Sequence, residues 1–212
     1  MPTAPAVLSP ATRARILDAA ETLFARQGFE ATTIKQIGRV ARRNPALIYY
    51  HFGSKDELYR AVLQRLVTGM IERGGAALDR TTSPPDAIRS LVAAQMEFVL
   101  GHPNAPRLLI REMIDHEARH AEAVLLEVSA SLFARLCRVI ELGQRSGAFH
   151  SGIEPRFAAI STIAQVVYFI VARPAIGLFF GEGRGVSEEM AREFGKHAGD
   201  FAVRALRCKE EI

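Results

Sequence analysis

The chain has 212 residues, 49% of them hydrophobic, with 27 basic and 23 acidic side chains, a formal charge of +4 and two cysteines. That length leaves room for a small domain beside a larger one with its own core. No repeat or low-complexity tract appears. Cys137 and Cys208 form no ligand motif and need no disulfide, as expected in a reducing cytoplasm.

Residues 1–8 read as a loose arm. Ile16, Leu17, Ala20, Leu23 and Phe24 then recur at helical spacing. Thr33 with Gln36 is a capping box, in which the hydroxyl takes a backbone N–H and the amide reaches back, so a short helix follows to about residue 41. Asn44 offers an N-cap oxygen and Pro45 fills the first helical position, where a missing N–H costs nothing. That helix runs to His51 or Phe52, and Gly53 ends it. Ser54 with Glu57 makes another box and opens a longer helix. Its stripe of Leu58, Val62, Leu63, Leu66, Val67, Met70 and Ile71 ends near Gly74-Gly75. Helix, tight connection, helix, new helix is helix-turn-helix spacing, with Ile37, Val40, Ile48 and Phe52 as its interior.

Further helices are expected over residues 83–100, 107–114, 117–143, 155–173 and 187–207, and no strand pattern competes. The expected fold is all-α: a three-helix domain at 9–53 and a larger helical domain at 54–212. No signal peptide is apparent. The apolar run 157–172 is too short to span a bilayer, contains Gln165 and is followed by Arg173 and Pro174, so it reads as a buried helix and no membrane partner is expected.

Charge points to the first domain. Through residue 60 the chain carries nine basic and five acidic side chains, and the remaining 152 residues carry eighteen of each. The whole surplus therefore sits in the N-terminal quarter, where nucleic-acid phosphates would be neutralised.

The stretches ATRARILDAAETLFARQGFEATTIKQIG and NPALIYYHFGSKDELYRAVL, within residues 11–64, resemble the N-terminal domain of TetR-family transcriptional repressors. One departure stands out: Arg42 and Arg43 occupy the turn where the family usually has a glycine and a small apolar residue. Either the turn is built differently, or two extra charges near phosphates offset a strain of about 1 kcal/mol. The resemblance implies a recognition helix at 44–51 in the major groove of a pseudo-palindromic double-stranded operator, with Pro45, Ala46 and Leu47 facing base edges. These are poor hydrogen-bonding groups, so thymine methyl contacts and DNA shape carry much of the specificity. Thr33, Tyr49, Tyr50, His51 and Lys55 would hold phosphates, alongside Lys35, Arg42, Arg43 and Asn44, and one of the two tyrosines could equally be core.

The resemblance also implies a homodimer whose last two helices form the interface, here Phe157, Ile160, Ala164, Val167 and Val171 with Phe194 and Phe201. It implies a repressor released by a small effector, apolar or amphipathic, held between helices. The candidates are Gln95, Met96, Val99, Arg111, Met113, His116, Phe133, Gln165, Tyr168 and Phe169. Arg111 would orient an acidic group or pair with Asp115 one turn on. No cofactor is expected.

Two rival classes stay open. His116-Glu117-Ala118-Arg119-His120 spells HExxH, which on a helix presents two zinc ligands one turn apart with a glutamate base, the arrangement of a metal-dependent hydrolase. No third ligand spacing follows it, and no resident metal is expected. The other rival is a helical interaction protein that binds no DNA.

Overall fold

The computed structural model describes residues 9–126, 130–181, 183 and 185–207. The expected arm at 1–8, Cys208 and residues 127–129 of the expected helix 117–143 lie outside the described residues. Among those described the chain is all-α: α1 (Pro10–Ala31), α2 (Ile34–Ala41), α3 (Pro45–Phe52), α4 (Lys55–Asp79), α5 (Pro84–Gly101), α6 (Ala105–Asp115), α7 (Glu122–Val124), α8 (Ala130–Arg145), α9 (Pro155–Phe179) and α10 (Glu188–Leu206). They fall into two compact units, Met1–Val67 with Arg107–Val124, and Thr68–Pro106 with Leu125–Ile212.

In the first unit, the Ser9 hydroxyl accepts the Thr12 N–H at 3.3 Å and Pro10 opens α1. The helix breaks at Gly28, whose φ of 84° suits a residue without Cβ. The buried Thr32 hydroxyl donates to the Gly28 carbonyl at 2.6 Å, satisfying an acceptor that the break leaves free. Ile16, Phe24, Ile37, Ile48, Leu58 and Leu63 are sealed from solvent. Each such side chain is worth about 1.5–3 kcal/mol relative to exposure. Arg65 of α4 ties back to α1 through Asp18 at 2.7 Å and Glu21. Val40 departs from expectation: it is 55% exposed, because the buried stripe of α2 is Ile34, Ile37, Gly38 and Ala41, and Val40 lies off it.

In the second unit, α4 does not stop at Gly74-Gly75 but runs on to Asp79. Gly74 serves close packing, since a Cβ there would come within 2.9 Å of Leu132 and 3.1 Å of Leu91. Val92, Met96, Val166, Phe169, Val186, Ala191 and Ala198 form a core shared by α5, α9, α10 and the segment before α10. The α9 helix also outruns its expected end. It spans 25 residues with Pro174 inside it and is long and apolar enough to cross a membrane by length and composition. Only one side is packed, by Ala158, Ala159, Thr162, Val166 and Phe169, so the expectation of a buried helix holds for that side alone.

The expected single helix over 117–143 is absent. Glu117 and Ala118 take left-handed backbone, with φ of 51° and 63°, and the Ala118 N–H donates to the Glu112 carbonyl at 2.9 Å. A tight turn, the short α7 and then α8 replace it.

Candidate nucleic-acid interface

The reciprocal bonds of the first box both form: the Thr33 hydroxyl accepts the Gln36 N–H at 3.2 Å and the Gln36 carboxamide oxygen accepts the Thr33 N–H at 2.9 Å. After Ala41 the chain reverses. Arg42 is left-handed (φ 53°, ψ 49°), its N–H donates to the Arg39 carbonyl at 3.3 Å, and the Arg43 N–H reaches back five residues to the Gly38 carbonyl at 2.9 Å. This is a Schellman closure, the turn that a glycine would ordinarily make, so the two arginines do not change its construction. Asn44 caps α3 by accepting the Ala46 N–H at 2.9 Å, with Pro45 in the first turn, and Gly53 (φ 78°) stops it. Ser54 accepts the Glu57 N–H at 3.0 Å, but the Glu57 carboxylate turns to Arg60 and leaves the second box half-made.

Lys35, Gly38, Arg39, Arg42, Arg43 and Pro45 line an open concavity of about 420 Å³ at the turn. Four cations surround it. Arg39 was not among the expected contacts, although Lys35 and Arg39, four residues apart, already share one face of α2. Tyr49 and Tyr50 are 53% and 59% exposed, so neither is core, and the buried residues of α3 are Ile48 and Phe52. Ala46 is exposed, Pro45 and Leu47 half-buried. His51 is half-buried, its ring edge-on to Tyr50 at 4.9 Å and its Nε2 buried with no hydrogen-bond partner among the described residues.

Lys55 is placed differently from expectation. Its ammonium donates to the Phe29 carbonyl at 3.0 Å and the Glu30 carbonyl at 3.4 Å, and lies 4.2 Å above the Phe29 ring. A cation at a helix C-terminus is favoured by the carbonyls left over there, and this lysine is committed to that end of α1.

Comparison with known proteins agrees with this geometry. Residues 16–62 match the profile of bacterial regulatory proteins of the tetR family, and residues 84–201 match the tetracyclin repressor-like C-terminal domain. The chain is 32% identical over 160 residues to the HTH-type transcriptional repressor NicS of Pseudomonas putida, 74% of each chain. It is 33% identical over 183 residues to the HTH-type transcriptional repressor SCO4008 of Streptomyces coelicolor, 82% of this chain and 85% of that one. A tetR-family regulatory protein from Rhodococcus RHA1 superposes with a TM-score of 0.77 at 21% identity, covering 95% of this chain and all of the other. The chain belongs to the TetR family. It is a DNA-binding transcriptional regulator, of a family that is not enzymatic, whose members bind operators as dimers and answer to small molecules.

In this TetR-family chain the HExxH string does not take the helical form that the hydrolase reading needs. Its residues lie on a turn, the Glu117 side chain is exposed, and no group of three His, Cys, Asp or Glu suited to a metal ion occurs among the described residues. The ten effector candidates are divided between the two units. Arg111, Met113 and His116 belong to the first unit, where Arg111 and Met113 are exposed and a Cβ at Gly28 would meet the Arg111 guanidinium at 3.0 Å. Met96 and Phe169 are core residues of the second unit, and Val99 packs against them. Gln95, Phe133 and Gln165 are half-buried there, and the Gln95 Oε1 is buried without a hydrogen-bond partner among the described residues. Tyr168 is 72% exposed and joins the outer face of α9.

That outer face carries most of the expected dimer residues. Phe157, Ile160, Ala164, Val167 and Val171 are exposed along α9, and Phe201 is exposed on α10. Phe194 is the exception. It stacks on Phe169, with ring centroids 4.1 Å apart and planes 8° apart, so it packs within the unit.

Proposed function

We propose that the chain is a homodimeric repressor, active in the cytoplasm, that binds a pseudo-palindromic operator through α3 and releases it when a small apolar or amphipathic effector binds the helical unit. The observation that carries this reading is the four-cation concavity at the turn, directly before the exposed Ala46 and half-buried Pro45 and Leu47 of α3. Lys35, Arg39, Arg42 and Arg43 grip phosphates and set register, while Pro45, Ala46 and Leu47 read methyl groups and shape. The names of NicS and SCO4008 support the repressing sign. The exposed stripe of α9 supports the dimer, because two heads must meet half-sites about 34–36 Å apart. An unpartnered Gln95 oxygen beside a largely apolar core supports a mostly apolar effector carrying one hydrogen-bond donor.

The test is fluorescence anisotropy of the protein on DNA from upstream of its own gene, across a salt series. Specific binding should weaken steeply with salt, and Arg39→Ala should reduce the slope by about one. Equal affinity for upstream and scrambled DNA would remove the reading.

A further inference from the structure

The HEARH turn has a different use from the one its spelling suggests. Glu112 on α6 has 0% exposure, yet its carboxylate is fully engaged. Oε1 accepts the His120 N–H at 2.6 Å and the Ala121 N–H at 3.2 Å, while Oε2 faces His120 Nδ1 at 3.2 Å. Besides holding these groups, Glu112 acts on Tyr59 of α4, whose phenol is pushed well above its ordinary range by burial first and by that carboxylate second. These bonds hold the two left-handed residues Glu117 and Ala118, a strain of about 1–2 kcal/mol each that persists only where the surroundings over-determine it. The His120 side chain is 4% exposed, and its Nε2 lies 3.7 Å from Asp56 Oδ1 in the first turn of α4. Its ring is flanked by Phe29 at 5.1 Å, Tyr59 at 5.2 Å and His116 at 5.0 Å.

We propose that His120 is a proton-operated clasp between α6 and the start of α4, which makes operator binding sensitive to pH. A neutral imidazole has one N–H. With that proton on Nδ1 toward Glu112, Nε2 presents a lone pair to the Asp56 carboxylate. A second proton turns Nε2 into a donor, and the ring then bridges two carboxylates from two helices by charge-assisted bonds, about twice as strong as neutral ones. Imidazole is the side chain whose charge changes in the range of about pH 5 to 8. The groups facing it are Glu112 from α6, Asp56 and Tyr59 from α4, Phe29 from α1 and His116 from its own turn, while Asp115 and Arg111 act on the neighbouring Tyr59 and Lys55 lies over the Phe29 ring. Of these Lys55 is already held by the α1 carbonyls. Asp56 stands four residues after the end of α3, so the clasp acts where the recognition helix is joined to α4.

The inference rests on the operator-binding reading, and the experiment separates the two. Affinity for the upstream DNA is measured at constant ionic strength from about pH 5.5 to 8 for the wild type, His120→Phe, Asp56→Asn and His116→Phe. In parallel, histidine ring signals of the DNA-free chain are titrated by NMR. The wild-type affinity is expected to change by about fivefold or more, the low end of site-to-site couplings. Asp56→Asn and His120→Phe should flatten the response and His116→Phe keep it. In the free chain, Asp56→Asn should move the His120 titration midpoint down. A pH response unchanged in His120→Phe, which would assign it to His51 or His116, overturns the clasp. So does a flat wild type or an unmoved midpoint. If His120→Phe does not fold, the surface substitution Asp56→Asn decides alone. If the wild type binds no DNA, the functional reading fails while the free-chain titration still judges the clasp.

Discussion

The Arg43 N–H donates to the Gly38 carbonyl, and this bond closes the helix-turn-helix turn only because the intervening Arg42 accepts a left-handed backbone. An L-residue with a Cβ loses about 1 kcal/mol there relative to glycine. Arg42→Gly should therefore raise stability by about 1 kcal/mol, a Tm increase of roughly 2–4 °C for a chain of this size. It should also weaken operator binding and lower the salt slope by about one, since it removes one cation from the concavity. Stability and affinity moving in the same direction would contradict this account of the turn.

Lys55 gives a contrasting outcome. Its ammonium is spent on the Phe29 and Glu30 carbonyls and the Phe29 ring. Loss of a helix-end cation and a cation–π contact predicts about 1 kcal/mol of destabilisation in Lys55→Ala. The salt slope should change by well under one. Calorimetry read beside the anisotropy series checks it: a full unit of slope lost at unchanged Tm would restore Lys55 to the phosphates.

The difference between these residues shows what the sequence carries. Caps and turns are local chemistry, so Thr33-Gln36, Asn44-Pro45 and Gly53 announce α2 and α3 almost to the residue. The turn at 116–121 has no such announcement. Glu117 and Ala118 are good helix formers, and their left-handed backbone is imposed by a carboxylate that precedes them by five residues and more. Lys55 reads as a free cation for the same reason, since its acceptors lie 25 and 26 residues away. The stripe on α9 is legible as apolar but not as exposed, because periodicity marks a face without naming what covers it.

Acid should unmask the cap of α9. The Glu154 carboxylate accepts the Arg156 Nε–H at 2.9 Å and the backbone N–H groups of Arg156 and Phe157 at 3.2 and 3.3 Å. Those bonds, the Arg156 side chain first, hold its carboxyl below the ordinary carboxylate range. A group whose pKa is lower in the folded chain adds stability above its unfolded value and loses it as pH falls through the folded one. Glu154→Gln should thus be less stable than the wild type at neutral pH, with the gap closing below about pH 4. Thermal melts across that range decide it, and a gap that widens in acid would reverse the sign.

The outer face of α9 separates association from folding. Val167 lies mid-stripe between Ala164 and Val171, all three exposed, whereas Phe194 is stacked on Phe169 inside the unit. Val167→Glu puts a charge at the centre of a self-complementary apolar contact, where each copy would meet its own substitution across the two-fold axis. The variant should keep the wild-type Tm of the isolated chain but sediment as a monomer at micromolar concentration, and its operator affinity should fall with the loss of paired heads. Phe194→Ala should do the opposite, losing on the order of 3 kcal/mol of stability while the folded fraction still sediments with the wild-type mass. If Val167→Glu remains dimeric, the partner covers some other surface. If Phe194→Ala dissociates without loss of stability, that ring belongs to the interface after all.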